Sequence, residues 1–105
     1  MATPFVLVVQ LWVVPGREAE FEAFETRAAE LMAPHGGRVE RAIRMTTGNS
    51  PDAPYEVHIV EFPSEADYLA FADDPAVGRL RGLRAQIISR TDVLFGSSIS
   101  PRTAP

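Results

Sequence analysis

The stretch FVLVVQLWVV, residues 5–14, decides the fold. It is rich in β-branched and aromatic side chains, which suit a pleated, packed surface. Side chains alternate across a strand. Phe5, Leu7, Val9, Leu11 and Val13 therefore share one face, and Val6, Val8, Gln10, Trp12 and Val14 share the other. Both faces are largely apolar, and a strand apolar on both faces is buried on both. The run is interrupted by Gln10 and is too short to cross a bilayer. No charged region precedes it, so it reads as a buried strand and not as a leader or anchor. No membrane association is expected.

Working outward, Pro15-Gly16 is a turn signal. From Arg17 to Met32 the residues Phe21, Phe24, Ala28, Leu31 and Met32 recur at helical spacing, with Glu18 and Glu20 favourably placed at the positive end of the helix dipole. Pro34 and Gly36-Gly37 stop that helix. Arg38–Thr46 alternates, with Val39, Arg41, Ile43 and Met45 on one face. TGNSPDAP, residues 47–54, is a loop by composition. Tyr55–Phe62 is the next strand, with His58, Val60 and Phe62 on one face and Val57, Ile59 and Glu61 on the other. Ser64 caps a second helix, Asp74-Pro75 starts a short third one running to about Leu83, and Gln86–Phe95 is the last strand.

The order strand, helix, strand, strand, helix, strand is the ferredoxin-like βαββαβ pattern of the α+β class: a four-stranded antiparallel sheet with helices on one face. Such a sheet leaves its other face open. Leu7, Val9, Leu11, Val57 and Ile59 would be too much apolar surface for a lone chain if they lay there. Two sheets face to face would hide it, so a homodimer is expected. Residues 1–96 read as a single domain and 97–105 as a polar, Pro-containing tail that is either disordered or packed on a partner.

The bulk numbers set limits. The chain has 105 residues, 46% of them apolar and 23% charged, which is the composition of one folded domain. The formal net charge is −4, which argues against nucleic acid or an anionic membrane as the main partner. All ten basic residues are Arg, which reads as a compositional bias of the source and not as function. The absence of Cys excludes disulfides, thiolate metal sites and a Cys nucleophile, and suits a reducing, cytoplasmic interior.

Three stretches resemble the dimeric α+β barrel superfamily: Pro34-His35-Gly36-Gly37-Arg38, Val60-Glu61-Phe62-Pro63-Ser64-Glu65-Ala66, and Phe71-Ala72-Asp73-Asp74-Pro75. Within that superfamily they are similar to a bacterial group of unknown function with "hGGr" after helix one and "EFpS" leading into helix two. The antibiotic-biosynthesis monooxygenases are the characterised neighbours. The resemblance covers roughly residues 5–96. It implies a homodimer whose two sheets form a barrel with the helices outside, and relatives that include cofactor-free monooxygenases, haem-degrading enzymes and lactone- or aldehyde-handling enzymes. The monooxygenase group often carries a His in helix two a few residues before the "sP" turn; Phe71 stands at that place here.

His58, mid-strand among apolar residues, is the foremost candidate for chemistry. Its ionisation range suits a general base, and the competing reading is a hydrogen-bonded core histidine. Arg44 either lies beside His58 across the hairpin and holds an anion, or pairs with Glu56. Gln10 and Trp12 share a face on which an aromatic ligand could stack and hydrogen-bond, although Trp is also common core. Tyr68 and Phe71 either line a cavity or fill it. His35 suits a helix C-terminal cap. Glu61 falls opposite His58, where pairing with Arg41 or Arg90 is expected.

No metal-ligand spacing, phosphate loop or nucleophile elbow is legible, and no cofactor is expected. One functional reading is a cofactor-independent, monooxygenase-like enzyme acting on a small aromatic or polyketide-like molecule. His58 and Arg44 would be catalytic, and Gln10, Trp12, Tyr68 and Phe71 would bind the ligand. The alternative is a non-catalytic dimer that binds a small ligand or serves as an interaction module, motivated by Phe71 in place of His.

Overall fold

The computed structural model of the chain describes residues 3–46, 48 and 51–102. Thr47, Asn49 and Ser50 of the predicted loop, and the last three residues of the predicted tail, lie outside them. The elements run β1 (Phe5–Val13), α1 (Glu18–Met32), a 3-10 turn (Ala33–His35), β2 (Arg38–Arg44), β3 (Glu56–Phe62), α2 (Glu65–Ala72), α3 (Pro75–Arg81), a second 3-10 turn (Arg84–Gln86) and β4 (Ile88–Gly96). The four strands form one antiparallel sheet in the order β2-β3-β1-β4. This is the βαββαβ α+β fold that the periodicities predict.

Local signals place the helix ends. Ser64 Oγ accepts from the Asp67 amide at 3.1 Å and donates to Asp67 Oδ2 at 2.7 Å, closing the first turn of α2. Asp74 Oδ1 accepts from the Ala76 amide at 2.9 Å, with Pro75 at the first position of α3. The two glycines after α1 serve different ends. Gly36 takes φ +75°, a left-handed turn that favours glycine. Gly37 lets the ring of Phe62 approach its backbone: a Cβ there would collide with the Phe62 ring.

The register assigns the faces. Phe5 pairs with Phe62, Leu7 with Val60, Val9 with His58 and Leu11 with Glu56, and this set lies under the helices. Val6, Val8 and Gln10, opposite Glu61, Ile59 and Val57, form the other face. Of the five residues considered for the open face, Val57 and Ile59 are there; Leu7, Val9 and Leu11 are under the helices. A period of two sorts residues into two sets, but only strand pairing says which set the helices cover.

β2 corrects a second expectation. Val39 pairs with Val60 and Arg41 with Ile59, so Glu40 is the extra residue of a bulge and Val39 and Arg41 point to opposite faces. A second register shift places Trp12 opposite Arg90 and Val13 opposite Ile88.

Two clusters make up the core. Leu7, Met32, Val60 and Phe62 form one, and Leu11, Phe21 and Ile88 form the other. Val9 packs against both. His58 is its cross-strand neighbour, so the one buried polar side chain among the described residues sits where the two clusters meet.

Candidate functional site

An apolar cavity of about 160 Å³ lies between the sheet and the helices. β1 and β3 floor it with Leu7, Val9, His58 and Val60; α1 contributes Phe24, Glu25 and Ala28; α2 contributes Tyr68 and Phe71. Arg81 and Arg84 line it as well, where it adjoins a second cleft.

His58 is 5% exposed, and a buried imidazole needs partners. Its Nε2 lies 2.6 Å from Glu56 Oε1, two residues along the same strand face. Glu56 is itself gripped by Arg44, whose Nε and Nη2 donate to Oε2 at 3.0 and 2.9 Å. A carboxylate so held accepts, so the ring donates to it from Nε2. Nδ1 faces Glu25 Oε2 at a looser 3.5 Å. Glu25 lines the cavity and Glu56 does not, so Nδ1 is the edge of the ring turned toward it.

Burial pushes the Glu25 carboxyl above its ordinary value; His58 pulls it back down, Glu56 adds to the rise, and Arg84 opposes it. An anchored imidazole beside a carboxyl poised toward its protonated form is an arrangement that can take, hold and return a proton.

The six residues singled out from sequence separate into three groups. His58, Tyr68 and Phe71 line the cavity. Tyr68 and Phe71 also pack on Phe62, with ring centroids 5.5 and 5.3 Å away. Arg44 is outside the cavity and committed to Glu56, with its guanidinium 4.2 Å above the Tyr55 ring. It reaches His58 only through that carboxylate. Gln10 and Trp12 are on the opposite face of the sheet and cannot meet a ligand that touches His58. The Trp12 indole N–H donates to the Asp52 carbonyl at 3.0 Å, and Arg90 lies 4.2 Å over its ring.

Two further expectations change. Glu61 pairs with Arg38 at 2.7 Å, not with Arg41 or Arg90, because cross-strand pairing sets Arg38 opposite it. His35 bonds Asp74 Oδ2 at 2.9 Å, tying the end of α1 to the cap of α3. That bond holds the Asp74 carboxyl below its ordinary value.

Sequence reasoning passed over Glu25, Glu56 as a partner of His58, and Arg84. The first two left signals. Glu25 follows Phe21 by four residues and precedes Ala28 by three, so it interrupts the apolar stripe of α1. Glu56 shares the period-two face of His58. Nothing local marks Arg84.

Among the described residues no helix is long and apolar enough to cross a membrane, and no group of three acidic or histidine side chains could hold a metal ion. No protein-family model matches the chain, and no curated protein matches it in sequence. Solved structures match it over nearly its whole length. A protein of unknown function from Rhodopseudomonas palustris superposes with a TM-score of 0.79 at 16% identity, covering 96% of this chain and 86% of that one. A candidate antibiotic biosynthesis monooxygenase from Nitrosomonas europaea gives 0.73 at 15%, covering 98% and 97%. Another from Bordetella bronchiseptica gives 0.70 at 20%, covering 93% and 99%. The fold is that of these proteins. At such identities the likeness establishes architecture and carries no activity with it.

Proposed function

We propose that the chain is a homodimeric, cofactor-independent, monooxygenase-like enzyme of the dimeric α+β barrel type, acting on a small aromatic molecule bound in the cavity. The observation that carries this is the buried His58, anchored at Nε2 by an Arg-held carboxylate and turned at Nδ1 toward an apolar cavity beside Glu25. His58 takes the proton of a phenol or enol, Glu25 shares it, and the Glu56–Arg44 pair keeps the ring in place. The resulting electron-rich anion carries the rest of the chemistry.

The cavity volume narrows the ligand. An apolar cavity of about 150 Å³ accommodates benzene, while drug-sized ligands occupy roughly 300 Å³ or more. A space of about 160 Å³ suits one ring with small substituents and is too small for a multi-ring polyketide.

The dimer reading rests on the open face. Val8, Val57, Ile59 and Leu94 form an apolar centre there, and the Arg38–Glu61 and Arg90–Asp92 pairs stand around it. A dry centre with a charged rim is the anatomy of an interface. The chain is also a slab, 43 × 40 × 17 Å, with a radius of gyration of 14.8 Å against about 13 Å for a compact chain of similar length. A second copy completes the missing layer.

The test uses 4-nitrophenol, whose absorbance reports its ionisation. Bound to the chain it should shift toward the phenolate band, and His58→Ala should bind it without the shift. A shift that survives in His58→Ala sinks the proton-transfer role. A non-catalytic ligand-binding dimer is the second reading, favoured by the carboxylates facing both ring nitrogens. It is the reading left standing if 4-nitrophenol binds the wild-type chain without any shift.

A further inference from the structure

The cavity ends in positive charge. Arg81, Arg84 and Ile88 line both the apolar cavity and an adjoining polar cleft of about 400 Å³. That cleft is otherwise bounded by Ala85, Ser89, Arg90 and Thr91, and among the described residues no acidic one lines it. This is unusual on a chain whose formal net charge is −4.

The arginines differ in how they are occupied. Arg90 is paired with Asp52 at 2.8 Å and Asp92 at 2.7 Å. Arg81 donates to the Ala72 carbonyl at 3.2 Å, and Arg84 donates to Thr91 Oγ1. Neither makes an ion pair among the described residues. Arg84 is partly buried, burial works against its charge, and the neighbouring Arg81 adds repulsion. Glu25 is the acidic group it feels, and that carboxyl is pushed toward its neutral form. A partly desolvated guanidinium beside a second one, with no carboxylate in contact, is an unmet demand for an anion.

We infer that the ligand of this cavity is an aromatic carboxylate, with its ring among the apolar side chains near His58 and its carboxylate on Arg84 and Arg81 at the cleft. The inference rests on the cavity reading above and adds the charge and orientation of the ligand. The ring meets the proton-transfer pair and the carboxylate meets fixed positive charge where cavity and cleft adjoin, so the ring enters in one direction. Arg84 is the principal anchor because its guanidinium has five donors and makes one hydrogen bond among the described residues; Arg81 supplements it.

Calorimetric titration of the full chain with 4-hydroxybenzoate and its neutral counterpart 4-hydroxybenzamide separates the two ideas. A charge-assisted hydrogen bond predicts at least about tenfold tighter binding of the acid. Arg84→Gln should remove most of that preference, with acid affinity falling far more than amide affinity, and circular dichroism should show the wild-type fold. Arg81→Gln should weaken the preference in part. Equal affinity for acid and amide overturns the carboxylate site and leaves the cavity reading in place. A preference untouched by either substitution overturns the assignment to these arginines. Failure of both probes to bind the folded wild-type chain overturns both readings together.

Discussion

One face of the sheet carries Leu7, Val9, Leu11, His58, Val60 and Phe62; the other, drawn from the same two strands, carries Val6, Val8, Gln10, Trp12, Val57 and Ile59. Composition does not distinguish them, since each is apolar with one or two polar side chains. What distinguishes them is cover. Under the helices, apolar side chains reach full burial, and His58, the one buried polar side chain among the described residues, is hydrogen-bonded to the Glu56 carboxylate with Glu25 close by. On the open face the charged groups pair among themselves around a part-exposed apolar centre. A polar residue on the first face is forced into a specific network, whereas one on the second stays near solvent.

The largest expected effect falls on the covered face. Phe62 is 1% exposed, and Phe62→Ala should cost about 3–5 kcal/mol in urea unfolding. A loss below about 1 kcal/mol would mean that the helix layer packs far more loosely than described. The open face should respond in assembly and not in folding. Ile59→Arg places a charge in the apolar centre, and burying it unpaired would cost the dimer several kcal/mol. Light scattering at micromolar concentration should then show a monomer whose circular dichroism is that of the wild-type fold. A dimer that persists unchanged would place the interface on another surface.

A smaller effect sharpens the chemistry of the covered face. Glu25 is held above its ordinary value of 4.5 in the folded chain. The native state therefore binds more protons than the unfolded state above about pH 4.5, and stability falls as pH rises through the raised value. Glu25→Gln cannot ionise, so its unfolding free energy should decline less steeply across that window. Equal slopes in the two proteins would show that the carboxyl is not displaced.

Much of the fold was legible because its signals are local. Ser64 and Asp74 announce the starts of α2 and α3 by hydrogen-bonding within their own first turns. The candidate site was legible in part. His58 stood out as a polar residue in an apolar strand, and Tyr68 and Phe71 were marked as possible cavity residues. Arg44 was read as a direct neighbour of His58 or a partner of Glu56; it is the partner, and acts on the ring through that carboxylate. Gln10 and Trp12 were grouped with His58 because nothing in one strand's alternation says which of its faces a second strand's residue will share.

By itself the sequence determined the element order, the approximate helix boundaries and the apolar character of both faces of β1, because periodicity and capping depend on residues a turn or two apart. Only the tertiary structure decided which face the helices took, that Glu40 forms a bulge and sends Val39 and Arg41 to opposite sides, and that Glu25 of α1 meets His58 of β3 in a cavity that Arg84 also lines. Those outcomes depend on strand register and on helices docking across the chain. Register is chosen by the burial of whole faces at once, and no single stretch of residues contains that choice.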